Sequence, residues 1–216
     1  MIGLRCPIHK NYINRRQVAM INQLFGENKN KLFYGANGHS GIDFQTQGVF
    51  KWVYSNLTKV LRLGREKAET DDGIIPITAS HDGYLSIGWN DDYREGIYMK
   101  VKGEGYETLY FHLSRLVRWK GDPEKAFDNE MGIDFVKRGT ILGYGGNSGR
   151  YTTGAHMHFE LRINGKIVDP MPYFIDEDIL YQSYKGMATD SDFFYQGKKI
   201  TRKEFDKISA QITLNS

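Results

Sequence analysis

The chain has 216 residues, of which 40% are hydrophobic and 25% are charged, and its formal net charge is +3. These proportions indicate a globular protein with a packed core and exclude a disordered chain. The charge is too small to predict a nucleic-acid partner, and no window is apolar enough to predict a membrane helix. With a single cysteine, Cys6, an internal disulfide and a cysteine-rich zinc site are excluded, so any metal must be bound by histidine and carboxylate.

The glycine content, 24 of 216 residues, indicates many tight turns between short strands. Taken in chain order, residues 17–25 predict a short strand or a turn of helix. Residues 34–44 are typical of a glycine-punctuated loop that enters a strand. Residues 48–75 predict an insertion that contains a short helix followed by a polar surface loop.

A series of short β-strands is predicted from residue 74 onwards, which indicates a mostly β protein. These strands are expected at 74–79, 83–87, 96–101, 106–112, 140–144, 156–163 and 166–168. Residues 117–137 are charged and broken by proline and glycine, and they predict a second loop insertion. Asn164-Gly165 is typical of a two-residue hairpin turn.

The C-terminal part of the chain predicts an extension of the main domain. Thr201-Arg202-Lys203-Glu204 is a capping box that begins a short helix. We therefore expect one domain over 1–170 and an extension over 171–216. The first residues show no charged segment followed by an apolar run, so no signal peptide is expected there.

Two histidine motifs have the spacing of metal ligands. His39 and Asp43 form H-x-x-x-D, and in an extended chain these positions face the same way. His156 and His158 form H-x-H, which places both rings on one face of a strand. Catalytic zinc sites typically use three protein ligands and one open position. His39, Asp43 and one histidine of the H-x-H pair supply that number, although either motif alone also arises by chance.

Three ordered motifs together resemble those of the M23 (lysostaphin/LytM-type) zinc metallopeptidases. They are Gly38-His39-Ser40-Gly41-Ile42-Asp43-Phe44, Tyr110-Phe111-His112-Leu113-Ser114 and Gly154-Ala155-His156-Met157-His158-Phe159-Glu160. The resemblance covers about residues 20–170 and implies a mostly antiparallel β-sheet or sandwich core with a groove over the metal. Met157 and Ala155 stand where the family usually has leucine and proline, and these changes leave the metal donors intact.

The resemblance implies that His39, Asp43 and His158 bind Zn²⁺ and that His112 and His156 are the catalytic histidines. It further implies a zinc-dependent endopeptidase that hydrolyses peptide bonds in bacterial peptidoglycan by metal-activated water. Which of the two catalytic histidines acts as the base stays open. Glu160 is a candidate acceptor for the second N–H of a ligand imidazole, with a structural ion pair as the alternative.

Two other functions stay open at this point. One is a non-catalytic wall-binding or regulatory module on the same fold, and the other is a structural component of a virion in which the extension is the docking element. The complete set of implied ligands and catalytic histidines favours the enzyme. Because no signal peptide is visible, we expect a phage-type lytic or virion-associated enzyme that acts on the cell wall, in an extracellular or periplasmic location. The expected partner is a peptidoglycan peptide, with neither nucleic acid nor a membrane.

Overall fold

The computed structural model describes residues 2–13, 17–31, 36–46, 75–89, 96–117, 131–149, 154–184 and 191–215. These ranges contain thirteen strands and one α-helix, so the mostly β fold expected from the sequence is confirmed. Within the same ranges, no helix has the length and apolar character needed to cross a membrane.

The strands are numbered in chain order. They are β1 (Val18–Gln23), β2 (Ile42–Gln45), β3 (Pro76–Thr78), β4 (Gly83–Trp89), β5 (Ile97–Lys102), β6 (Tyr106–Leu116), β7 (Met131–Val136), β8 (Ile141–Gly145), β9 (His156–Ile163), β10 (Lys166–Val168), β11 (Leu180–Tyr184), β12 (Ser191–Tyr195) and β13 (Lys198–Ile200). The helix is α1 (Arg202–Asn215), and single 3₁₀ turns lie at Lys10–Tyr12 and Met171–Tyr173.

All thirteen strands join one sheet whose main path has the order β13-β12-β11-β1-β2-β9-β6-β5-β4-β7. Strand β10 pairs with β9, and β8 pairs with β6 and β3. Neighbouring strands are antiparallel, apart from the parallel pair β1 and β11. Strands β2, β9 and β6 are adjacent in the middle of this path. Most of the residues singled out from the sequence therefore lie on three neighbouring strands.

Part of the second loop insertion was predicted wrongly. Within the expected loop 117–137, Met131–Val136 form β7, which pairs with β4 at the end of the sheet. Met131, Ile133 and Phe135 alternate with Gly132 and Asp134, which is a strand pattern, but the charged residues before it favoured a loop. The backbone pairing with β4 is a tertiary effect that local sequence does not reveal. Residues 118–130 and the expected insertion and helix at 48–74 lie outside the described residues.

Residues 171–184 contribute to the core that lies behind the predicted metal ligands. Phe174 is fully buried, and its ring centroid lies 5.9 Å from that of Phe44 and 5.6 Å from that of Phe159. Each of these two partners directly follows a predicted ligand in the sequence. The first part of the expected C-terminal extension thus packs in the same hydrophobic cluster as the strands of the site.

Helix α1 begins at the capping box predicted from the sequence. The Glu204 N–H donates to Thr201 Oγ1 at 3.3 Å, and the Thr201 N–H donates to Glu204 Oε2 at 2.8 Å. Phe205 lies with its ring centroid 4.5 Å from that of Phe193 in a small second cluster that includes Leu180. The helix is therefore held against the strands β11 and β12 by an apolar face.

Candidate metal centre and active site

The register of two central strands brings two of the predicted ligands together. Strands β2 and β9 are antiparallel, and Asp43 is the direct cross-strand partner of His158. His156 is the partner of Gln45, two residues further along, so its side chain lies on the same face. The shared face expected for the H-x-H pair therefore has Asp43 opposite it.

His39 reaches this point from a turn that precedes β2. Hydrogen bonds of 2.8 Å run from the Gly26 N–H to the His39 carbonyl and from the His39 N–H to the Glu27 carbonyl. Gly38 has a φ of +75°, and a Cβ there would lie 2.5 Å from the Gly26 carbonyl oxygen. The extended chain expected over 39–43 is interrupted by a bend, so a backbone turn, rather than strand alternation, places His39.

Three donor atoms converge at this point, and all three residues are buried. His39 Nε2 lies 3.1 Å from Asp43 Oδ1 and 2.9 Å from His158 Nδ1. His158 Nδ1 lies 2.8 Å from Asp43 Oδ1. Ligand atoms bound tetrahedrally to zinc at about 2.0–2.1 Å are about 3.3 Å apart. The donors are thus within a few tenths of an ångström of the spacing that Zn²⁺ needs.

The hydrogen bonds of the outer ring nitrogens of His39 and His158 determine whether the inner nitrogens carry a proton or a lone pair. His39 Nδ1 donates to the Leu24 carbonyl oxygen at 3.1 Å, and His158 Nε2 lies 3.4 Å from Glu160 Oε1. In the neutral rings both protons then point outward, and both inner nitrogens present lone pairs towards Asp43. Such a buried group of lone pairs and a carboxylate is unfavourable unless a cation lies between them. This donor set fits zinc, the metal of the family that the sequence resembles.

The electrostatics of the group also favour a cation. Burial would raise the pKa of Asp43, but the charge of His156 and, when the inner nitrogens carry protons, hydrogen bonds from His158 and His39 hold it well below its usual value. Burial would lower the pKa of His158, but hydrogen bonds to Asp43 and Glu160 raise it to about 10. The two carboxylates that attract a proton to this ring also attract a metal ion, which competes with the proton.

Glu160 combines the two roles that the sequence left as alternatives. One carboxylate oxygen faces His158 Nε2, and the other accepts hydrogen bonds from Arg162 at 2.8 and 3.1 Å. Burial opposes ionisation, yet the hydrogen bond and charge of His158, with the charge of Arg162, lower the pKa of Glu160 to about 2. The carboxylate is therefore ionised, and the ion pair orients it towards the ring.

His112 enters the site through a β-bulge in β6. The pairing of β6 with β9 ends at Phe111, opposite His158. The register of β6 shifts against β5 between Tyr110 and Leu113 and against β8 just after Leu113. His112 has a φ of +60°, a left-handed conformation that is uncommon outside glycine. The bulge turns its ring to within 4.7 Å of the His156 ring, centroid to centroid. Two consecutive residues of β6 therefore face the same side of the sheet.

Backbone carbonyls orient the two histidines that are not among the three donors. His112 Nδ1 donates to the Ser148 carbonyl oxygen at 2.9 Å, which leaves a lone pair on Nε2. Burial, together with the two histidines of β9, lowers the pKa of His112 to about 3, so this ring is neutral at pH 7. His156 Nδ1 donates to the Gly154 carbonyl oxygen at 2.7 Å, and Nε2 lies 3.8 Å from Asp43 Oδ2. Both rings thus present Nε2 as the atom that can exchange a proton.

Two residues that matter to this geometry were missed by the sequence reasoning. A Cβ at Gly41 would lie 2.3 Å from the Phe159 carbonyl oxygen and 2.9 Å from two atoms of the His158 ring. Ser148 holds His112 from a glycine- and serine-rich loop after β8. The signal was the Gly and Ser content of these two segments, which indicates close approach of the backbone to other groups.

The mostly antiparallel sheet brings two histidines and an aspartate together around one point, and two further histidines lie beside them. This arrangement is typical of the centre of a metallohydrolase. Residues 67–170 match the family model described as Peptidase family M23. The matched interval contains His112, His156 and His158 and begins after His39 and Asp43. Over this interval, the resemblance drawn from the sequence motifs to the M23 peptidases is confirmed.

Curated relatives match about half of the chain. It is 34% identical over 111 residues to the DD-carboxypeptidase/endopeptidase Mpg of Neisseria meningitidis, which is 51% of this chain and 22% of that protein. It is 33% identical over 96 residues to the peptidoglycan DD-endopeptidase ShyA of Vibrio cholerae, which is 44% of this chain and 19% of that protein. The matched part thus spans about a fifth of the length of these relatives.

A solved structure of a zinc containing peptidase from Vibrio cholerae has a related fold. The TM-score is 0.50 at 22% sequence identity, and the match covers 78% of this chain and 39% of that chain. At this identity the likeness concerns the fold alone.

Proposed function

We propose that the protein is a zinc-dependent endopeptidase that hydrolyses peptide bonds in the cross-links or stem peptides of bacterial peptidoglycan. The observation that carries the reaction type is the convergence of three lone-pair donors, 2.8–3.1 Å apart, beside the neutral ring of His112. The substrate class is supported by the names of the relatives in Neisseria meningitidis and Vibrio cholerae. Because the matched part is only about a fifth of the length of those proteins, their substrate is proposed for this chain together with the reaction.

In this proposal His39, Asp43 and His158 hold the metal. Bound zinc would polarise the scissile carbonyl group and lower the pKa of a water molecule. His112 and His156 lie beside these three donors, where they could reach a water that the zinc would activate. The roles of the five residues follow from which of their atoms are already engaged by neighbouring groups.

We assign the base to His112, which the sequence alone left open. Its Nδ1–H is donated to a carbonyl, its ring is neutral, and Nε2 can accept the proton of the attacking water. His156 is then the group that donates a proton to the leaving amine or hydrogen-bonds to the developing oxyanion through Nε2. That nitrogen lies 3.8 Å from Asp43 Oδ2, so His156 stands directly beside the three donors.

The location follows from the substrate. Peptidoglycan lies outside the inner membrane, so we propose that the protein acts at the cell wall, in the periplasm or outside the cell. A phage-type or virion-associated origin stays a prediction.

The test combines metal content with product analysis. We expect about one zinc per purified chain, and digestion of purified peptidoglycan to products whose masses correspond to cleaved peptide bonds. A chelator should abolish the digestion, and added zinc should restore it. A folded protein that keeps its zinc and cleaves no peptidoglycan, whatever the cross-link chemistry, would contradict the proposal and favour the non-catalytic module.

A further inference from the structure

Ser148 contacts both the proposed base and the backbone that carries it. Its carbonyl oxygen accepts the hydrogen bond from His112 Nδ1 at 2.9 Å. Its hydroxyl donates to the Leu113 carbonyl oxygen at 2.7 Å and accepts from the Ile97 N–H at 3.1 Å. A single residue of the loop after β8 therefore engages the ring of His112, the next residue of β6 and the first residue of β5.

The hydroxyl bridges the two strands at the point where their register shifts. Ile97 and Leu113 are cross-strand partners of β5 and β6, and the next pair along is Met99 with Tyr110. The irregularity lies between these two pairs, and it contains His112 with its φ of +60°. A non-glycine residue keeps such a conformation only when its surroundings hold it. The Ser148 hydroxyl is a contact that does so, because it binds the N–H of Ile97 and the carbonyl of Leu113, the cross-strand pair that borders the bulge.

The loop that carries Ser148 is packed tightly against the bulge. Gly96, with a φ of +66°, lies so close that a Cβ there would be 2.4 Å from Ser148 Oγ. A Cβ at Gly146 would be 2.4 Å from the Ser114 nitrogen. These glycines allow the loop to approach β5 and β6 at backbone distance, which brings the Ser148 carbonyl within reach of the imidazole.

We propose that Ser148 is a positioning residue whose hydroxyl holds the β6 bulge and whose carbonyl holds His112 in the Nδ1–H tautomer. The proposal rests on the proposed function, in which His112 Nε2 accepts the proton. Loss of the hydroxyl removes the bridge between Ile97 and Leu113, and the backbone of His112 can then relax from its left-handed conformation. The ring turns away from the Ser148 carbonyl, and Nε2 no longer keeps its place beside the metal ligands.

The first test is Ser148→Ala in the full chain loaded with zinc. We expect kcat to fall about 10- to 100-fold, as for a displacement of a reacting group by a fraction of an ångström to 1 Å. KM should stay within about twofold of the wild-type value, and zinc should stay near one per chain. The matched control is Ser114→Ala, whose hydroxyl donates to the Tyr144 and Gly145 carbonyls at 3.4 and 3.3 Å. This control should keep the wild-type kcat, because its hydroxyl bonds neither His112 nor the bridge.

The second test measures the tautomer of His112 by ¹⁵N NMR of the imidazole. The wild-type protein should show a protonated Nδ1, and Ser148→Ala should show a mixture of tautomers and faster exchange of that proton. The thiol of Ser148→Cys is a weaker donor than a hydroxyl, so this variant should shift kcat and the tautomer in the same direction as Ser148→Ala. It replaces the alanine variant in this test if Ser148→Ala does not fold. Wild-type kcat and tautomer in folded Ser148→Ala would overturn the proposal, as would a loss of zinc equal to the loss of kcat. If the wild-type protein cleaves no peptide, the proposed function fails, and the tautomer still decides whether Ser148 positions His112.

Discussion

Replacing Gly41 by alanine changes the space around one predicted zinc ligand without touching the ligand itself. The φ of Gly41 lies outside the left-handed region, so alanine is compatible with the local backbone. The added Cβ would lie 2.3 Å from the Phe159 carbonyl oxygen and 2.9 Å from His158 Cε1 and Nε2. Ordinary contacts begin at 3.4 Å, so that the β9 backbone has to move by about 1 Å and the ring by about 0.5 Å.

A functional group tolerates displacement of about 0.5 Å from its productive position. The movement forced by Gly41→Ala reaches that limit at the ring and exceeds it at the backbone. We therefore expect the zinc affinity to fall about 10- to 100-fold, which corresponds to about 1.4–2.7 kcal/mol. The assay is competition for zinc with a chromophoric chelator, with the fold monitored by circular dichroism.

The control for this prediction is Gly139→Ala. A Cβ at Gly139 meets nothing within 4 Å, but the φ of +82° makes alanine unfavourable there. This variant should lose about 1–2 kcal/mol of unfolding free energy and keep its zinc affinity. A folded Gly41→Ala protein that binds zinc as tightly as the wild type would refute the view that His158 needs the space left by this glycine.

Three further predictions follow from the site and its supports. His158→Ala should lose zinc and activity together, whereas His156→Ala and His112→Ala should keep about one zinc per chain and lose about 10²–10⁴-fold in rate. Metal analysis and steady-state kinetics test this. Loss of zinc in His156→Ala with zinc kept in His158→Ala would reverse the roles of these two residues. Burial and nearby negative charge raise the pKa of the Cys6 thiol, so it should stay protonated and resist alkylation in native protein at pH 9, and Cys6→Ser should keep zinc and activity. A fast native-state alkylation would contradict this. Phe174→Ala should lower the free energy of unfolding by about 3–5 kcal/mol in a denaturant titration, because a fully buried ring is removed behind the site; a change below about 1 kcal/mol would show that this ring is dispensable.

The sequence predicted those parts of the site that depend on local periodicity. Because alternate residues of a strand share a face, the H-x-H spacing correctly indicated that His156 and His158 point the same way. The capping box at Thr201 likewise predicted where α1 begins, since its hydrogen bonds join residues three apart. Strand β7 was missed because its short apolar alternation follows a charged, glycine- and proline-broken segment. Its partner β4 lies more than 40 residues earlier in the chain, so local sequence does not reveal the pairing.

His112 shows the difference most clearly. Strand alternation alone would put its side chain on the face opposite to Phe111, away from the site. Only the family resemblance implied that His112 belongs to the site. The bulge in β6 reverses that direction, and it exists because backbone and side-chain groups of β5, β8 and the following loop hold it. The sequence by itself thus indicated the candidate donor residues, the mostly β fold and the start of the helix. The tertiary structure decided the register of β2 against β9, the turn that brings in His39 and the orientation of His112, because each depends on contacts between residues far apart in the chain.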